Sequence, residues 1–265
     1  MANFTAQDVK KLRDETGAPM GECQAALKES DGDYDRAKEI LREKGKAAAA
    51  KRSDRETGAA TVAFATEGTK TAGVVLESET DFVSRNPEFY ALAERAASIA
   101  LQGGDFAELE QEATAKFREK AKVSKAVVFD GQVVTYRHHD GTKGAIVAYT
   151  GDADADAVRK VAIQAVAFPP AVLKKEDLSQ EMLAKELEIE TKRAVDEGKP
   201  ENIAKNIAQG RVNKEYVNKV VLLEQPFYLE PGKNTGAWLA ENANGATVTQ
   251  FAYLAAGQGD SSTGE

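Results

Sequence analysis

Apolar positions recur along this chain with two different periods, and the period changes near residue 58. Up to there the spacing is helical: Val9 and Leu12, then Cys23, Ala26 and Leu27, then Ala37, Ile40 and Leu41. Thr5 with Asp8 three residues on forms a capping box, and Gly17 stops the helix that follows. The pattern predicts two more helices, over about 22–29 and 34–44, giving a three-helix unit of minimal size over residues 1–53. The loop Gly17-Ala18-Pro19-Met20-Gly21 is expected to leave Met20 exposed. Between Gly45 and Thr57 the chain becomes Lys/Ala/Arg-rich, which predicts a helical or semi-rigid linker to about residue 57.

Beyond the linker, strands and helices mix. Strands are predicted at about 59–65 and 71–76, joined as a hairpin near Glu67-Gly68. Helices follow at about 87–102 and 105–121, then strands at 126–129, 133–136 and 145–149 and a helix at 154–167. Residues 179–220 are the most helical stretch. Leu183, Leu187 and Ala194 share one face, Ile203, Ile207 and Val217 another, and Asp196-Glu197-Gly198-Lys199-Pro200 breaks them. An antiparallel helical hairpin, projecting as a short coiled coil over 179–221, is the natural reading. Strands at 222–229 and 246–253 flank a short helix near 235–241, and the small polar residues 257–265 are expected to be disordered. The two mixed stretches echo each other. The expected architecture is α+β, with a first core part at 57–140 and a second at 141–178 and 222–256 that carries the hairpin as an insertion.

Composition narrows the function classes. The 265 residues carry a net charge of −8, with 42% hydrophobic and 29% charged residues. An acidic chain lacks the sequence-independent attraction to phosphate backbones, so direct nucleic-acid binding is not expected. Residues 1–53 are close to neutral, so the rest carries the acidity. The single cysteine, Cys23, excludes an internal disulfide and fits a reducing compartment. No apolar run approaches a membrane span and no export signal is evident, so the expected location is the cytoplasm.

Catalytic signatures are sparse. His138 and His139 are adjacent, so on a strand they would point to opposite faces, and no second His/Cys cluster completes a zinc site; a loop or strand-end contact is the expected role. Cys23 falls on an inner helix face with no histidine near in sequence, as a buried structural thiol would. No phosphate-cradling glycine loop is present, and Asp152, Asp154 and Asp156 lack the rest of a calcium loop. No cofactor or metal is expected. The most informative segment is Glu79-Thr80-Asp81-Phe82-Val83-Ser84, which lies between an apolar strand and the helix start Asn86-Pro87-Glu88. It puts a carboxylate and an aromatic side by side on a strand-end loop. Phe82 either packs under the following helix, with Asp81 capping its first turn, or stands out as a wedge for a partner's pocket. Periodicity does not choose between the two.

Thr80-Asp81-Phe82-Val83-Ser84-Arg85 resembles the signature of translation elongation factor Ts. The run from Val9 to Ala18, with Met20, Cys23 and Ala26-Leu27, is similar to that family's opening helices. Gly198-Lys199-Pro200, Gly210-Arg211 and Gln225-Pro226-Phe227 match in order downstream. The resemblance covers residues 1 to about 255. It implies an N-terminal module of the ubiquitin-associated type that docks on elongation factor Tu through Leu12, Arg13 and Met20. It also implies a two-part core whose second part carries the coiled coil. The implied activity is guanine-nucleotide exchange without a catalysed bond change: the protein binds the GDP-bound and nucleotide-free forms of Tu and expels GDP. Thr80, Asp81, Phe82 and Val83 would reach the partner's magnesium site, Phe82 inserting and Asp81 disturbing the ion's surroundings. Val75 and Glu77 depart from the family's commonest Glu and Asn there and are expected to belong to the strand. The family's carboxy-terminal extension is expected to be short or absent, and homodimerisation stays open because it varies within the family. The rival reading is a scaffold or chaperone-like protein without exchange activity, against which the intact Asp81-Phe82 pair argues. An enzyme is a distant third, for want of any catalytic constellation.

Overall fold

The computed structural model describes residues 3–257, which form a mixed helix-and-sheet protein of two compact units. The expected disorder of 257–265 falls, from residue 258 on, outside the described residues.

The first unit opens with α1 (Ala6–Thr16), α2 (Met20–Glu29) and α3 (Tyr34–Ala50). Thr5 and Asp8 make the expected capping box, the Thr5 N–H donating to Asp8 Oδ2 at 2.7 Å and the Asp8 N–H to Thr5 Oγ1 at 3.3 Å. Gly17, at φ +67°, ends α1, its N–H donating to the Arg13 carbonyl at 2.8 Å. Val9, Leu12, Cys23, Ala26, Leu27, Ala37, Ile40 and Leu41 all enter one small core. Two boundaries differ from the sequence-based expectation. Met20 opens α2 instead of sitting in the preceding loop, and α3 runs through the alanines to Ala50, since alanine extends a helix at least cost.

β1 (Ala59–Glu67) and β2 (Lys70–Ser78) form the expected antiparallel hairpin, in register from Ala59 opposite Ser78 to Glu67 opposite Lys70. Gly68, at φ +59°, makes its turn. After a short α4 (Asp81–Ser84), α5 (Pro87–Leu101) covers the hairpin, and α6 (Ala107–Phe117) joins the same core. Phe89 is fully buried there, edge-on to Phe117 with ring centroids 5.3 Å apart. Beyond α6, β3 (Lys122–Asp130) extends the sheet in the order β1-β2-β3. The helix expected to reach residue 121 stops at Phe117, because Arg118 takes a left-handed conformation at φ +59° without being glycine.

The second unit is built on a sheet of β4 (Gln132–Arg137), β5 (Lys143–Thr150) and β8 (Thr247–Ala255), ordered β4-β5-β8. β4 pairs antiparallel with β5, Gln132 opposite Tyr149. β4 thus lies in the sheet of the second unit, which takes in residues 129–139, while residues 140–142 belong to the first. α7 (Ala155–Ala167), capped by Asp154, packs on this sheet. A 3-10 turn (Lys175–Asp177) leads into α8 (Gln180–Asp196) and α9 (Glu201–Arg211), two helices that pack on each other. Gly198, at φ +83°, turns the chain between them: its N–H donates to the Val195 carbonyl at 2.8 Å and that of Lys199 to the Ala194 carbonyl at 3.1 Å. α9 continues as a π-helical turn (Val212–Val217) into α10 (Asn218–Val220). The strand expected at 222–229 is instead a turn followed by a small hairpin, β6 (Pro226–Phe227) with β7 (Glu230–Asn234), before α11 (Thr235–Asn242). Leu222 and Phe227 are apolar because they are buried, not because they alternate along a strand.

Candidate partner-binding site

Strand β2 is buried from Thr71 to Ser78, and the chain emerges at Glu79. The next six residues are therefore fixed at one end by the sheet. Four of them, Asp81–Ser84, close the single helical turn α4 where the sequence pattern suggested a loop. An isolated turn of this length has no stability of its own. It persists because its neighbours hold it: Ser84 is buried, Val83 packs on the first unit's core, and the Arg85 N–H donates to the Asp81 carbonyl at 3.1 Å. Asn86 then caps α5 through the Glu88 N–H at 2.8 Å, with Pro87 at the first helical position.

Held in this way, Phe82 points outward with 85% of its surface exposed, the largest exposure among the large hydrophobic residues described. The core alternative for Phe82 is thereby excluded. Asp81 beside it is also exposed, 3.4 Å from the Arg85 guanidinium. Of the four residues singled out from sequence, Asp81 and Phe82 face solvent while Val83 turns inward. The polar groups of Thr80 are already engaged: its N–H and hydroxyl donate to the two carboxylate oxygens of Glu119 at 2.9 and 2.6 Å. Glu79 accepts from the Lys120 N–H at 2.7 Å and from Arg55 at 3.0 Å. These contacts, led by the Lys120 N–H, hold the Glu79 carboxyl below its ordinary value. Glu119 carries no local sequence signal: it lies among other charged residues, 39 positions from its partner.

The N-terminal candidates divide in the same manner. Met20 is 48% exposed and Arg13 is exposed. Leu12 is fully buried in the three-helix core, so its side chain cannot meet a partner without unfolding that unit.

Residues 79–258 match the family described as Elongation factor TS. A protein of Mycolicibacterium gilvum called Elongation factor Ts is 41% identical over 97% of this chain and all of its own length. Proteins of the same name from Saccharopolyspora erythraea and Mycobacterium ulcerans are 39% and 40% identical over the same shares. The chain belongs to the elongation factor Ts family. Membership makes it a translation elongation factor, with nucleotide exchange as the activity of its kind.

Other residues of this elongation factor Ts chain that drew notice from sequence have structural surroundings. Burial pushes the Cys23 thiol up, and its Sγ donates to the Ala18 carbonyl at 3.4 Å. His138 and His139 lie just past the end of β4, the strand-end placement expected of them, their rings 4.2 Å apart, with His138 Nδ1 3.1 Å from the Tyr136 hydroxyl. Among the described residues no group of three His, Cys, Asp or Glu side chains could hold a metal, and no helix is long and apolar enough to cross a membrane. Gln225, from a downstream motif, is buried against Gln164. The Gln164 amide donates to Gln225 Oε1 at 3.0 Å, while the Gln225 amide donates to the carbonyls of Phe168 and Lys219 at 2.8 and 2.9 Å. Gly210-Arg211 ends α9, where the Arg211 guanidinium grips Glu197 across the hairpin at 2.6 and 3.2 Å.

Proposed function

We propose that this chain is the guanine-nucleotide exchange factor for elongation factor Tu, and that the exposed Asp81-Phe82 pair is its working tip. The observation that carries the reading is the 85% exposure of a phenylalanine on a turn anchored at both ends. Exposing an aromatic so fully gains nothing for the free protein, whereas an aromatic on a rigid mount can enter a partner's pocket. Phe82 inserts beside the partner's magnesium site and Asp81 perturbs the ion's surroundings. The N-terminal helices, a module of the ubiquitin-associated type, dock through Arg13 and Met20, with Leu12 supporting them from within. The α8/α9 hairpin serves as the family's coiled coil.

Magnitudes limit what each part does. Loosening GDP by a factor of 10⁴ takes about 5.5 kcal/mol of differential binding. Burying one phenylalanine supplies about 1.5–3 kcal/mol, so disturbance of the magnesium site must provide much of the rest. Coupling is reciprocal: GDP weakens this protein's grip on Tu by the same factor that the protein weakens GDP. The test is release of labelled GDP from Tu with and without the protein at micromolar concentrations. Faster release is expected. Binding without acceleration would instead favour a scaffold, and neither effect would remove the reading.

A further inference from the structure

Two glutamates brace the tip from outside its own helix. Glu119 takes both the N–H and the hydroxyl of Thr80, the residue that precedes α4. Glu79, next to Thr80, takes the N–H of Lys120, next to Glu119. Each carboxylate thus accepts from the backbone amide that follows the other. Two segments 39 to 41 residues apart in sequence are tied by a reciprocal pair of charge-assisted bonds. The tie extends to the linker: Lys120 Nζ donates to the carbonyls of Ser53 and Arg55 at 2.5 and 2.8 Å, and Arg55 returns to Glu79. Arg118, just before the brace, pairs with Glu22 of α2 at 2.6 Å.

The arrangement breaks a local habit. A threonine before a helix ordinarily bonds the helix's own free amides, yet Thr80 makes no such bond to α4. Its hydroxyl is committed to Glu119 instead, and the Lys120 N–H bond to Glu79 is part-buried, where such a bond is less diluted by water. The start of α4 is therefore set by residues beyond α6.

We propose that Glu119 is a positioning residue for nucleotide exchange: paired with Glu79, it fixes the direction in which Asp81 and Phe82 are presented and ties that direction to the mount of the N-terminal helices. The proposal rests on the exchange-factor reading of the same tip. A working group displaced by about 1 Å can lose about 10²-fold in rate, so the brace should show in the maximal rate.

The experiment follows GDP release from Tu over a range of concentrations of the full chain, separating the maximal rate from the half-saturating concentration, with thermal unfolding alongside. Glu119→Ala is expected to lower the maximal rate about tenfold, equivalent to about 1.4 kcal/mol, with the half-saturating concentration little changed. Glu119→Gln, which keeps one acceptor, should restore part of it. Thr80→Val should add no further loss to Glu119→Ala, because Glu119→Ala already removes the hydroxyl contact that Thr80→Val deletes. Additive losses, or a maximal rate that Glu119→Ala and Thr80→Val both leave intact while Phe82→Ala lowers it, would overturn the positioning role alone. If Phe82→Ala also left release unchanged, the working-tip reading would fall first and this proposal with it.

Discussion

Truncating Phe82 to alanine separates a wedge from a core residue by two measurements on one variant. With 85% of the side chain already in water, removing the ring takes little buried surface from the free protein. Its stability should move by no more than about 0.5 kcal/mol, the range of ordinary surface substitutions. The neighbouring comparison is Phe89, fully buried and edge-on to Phe117. Phe89→Ala should cost about 3–5 kcal/mol, or roughly 6–20 °C in melting temperature at 2–4 °C per kcal/mol for chains near this size. The exchange effect runs the other way. Losing the about 1.5–3 kcal/mol that burial in a partner would supply predicts GDP release from Tu slowed about 10- to 150-fold at equal, subsaturating concentration. Stopped-flow release of a fluorescent GDP and a melting curve suffice. Unchanged release would refute the wedge, and a fall in melting temperature as large as that of Phe89→Ala would refute the exposed placement itself.

Other consequences can be checked on the same protein. Gln225→Leu strands one buried Gln164 donor and removes the partner of the part-buried carbonyls of Phe168 and Lys219; at about 1–3 kcal/mol per buried group left unpaired, urea unfolding should show a loss of about 1–3 kcal/mol. The Glu79 carboxyl is held low in the folded chain, so its stabilising contribution is present above its unfolded value near 4.5 and is lost as pH falls through the folded one. The difference in melting temperature between the parent and Glu79→Gln should therefore shrink as pH drops below that value; a difference constant with pH would exclude the bond to the charged form. Leu12→Ala should destabilise the chain by about 2–5 kcal/mol, whereas Met20→Ala should weaken association with Tu in calorimetry and leave the melt unchanged.

Features set by near neighbours in sequence were legible in it. The Thr5/Asp8 box, the Asn86-Pro87 start of α5 and the Gly198 turn each depend on residues within a few positions, and each forms. Which neighbour a strand joins was not. Asp130-Gly131 precedes β4 and Asp140-Gly141 follows it, two turn signals alike, yet β4 pairs with β5 across the second, and a strand's own period says nothing about which neighbour it joins. The apolar run from Leu222 was equally silent, since burial within a turn and alternation along a strand use the same residue types. At the candidate site, the motif from Glu79 to Ser84 stood out, but its period did not reveal that Val83 and Ser84 settle inward while Phe82 faces out. Glu119 was invisible because a carboxylate among charged neighbours has no local mark of what it binds.

The chain has one tryptophan, Trp238, nearly buried and stacked on Phe227 with ring centroids 4.1 Å apart and planes 24° from parallel. Lys160 Nζ lies 5.5 Å from the centre of its ring. Every red-edge-excited photon this protein emits therefore comes from the second unit, while Phe82, the brace and the N-terminal helices are optically dark. A partner that touches only the tip should leave that emission unaltered. A shift in its colour or lifetime would be a message from the β6/β7 and α11 neighbourhood, obtained without attaching any dye.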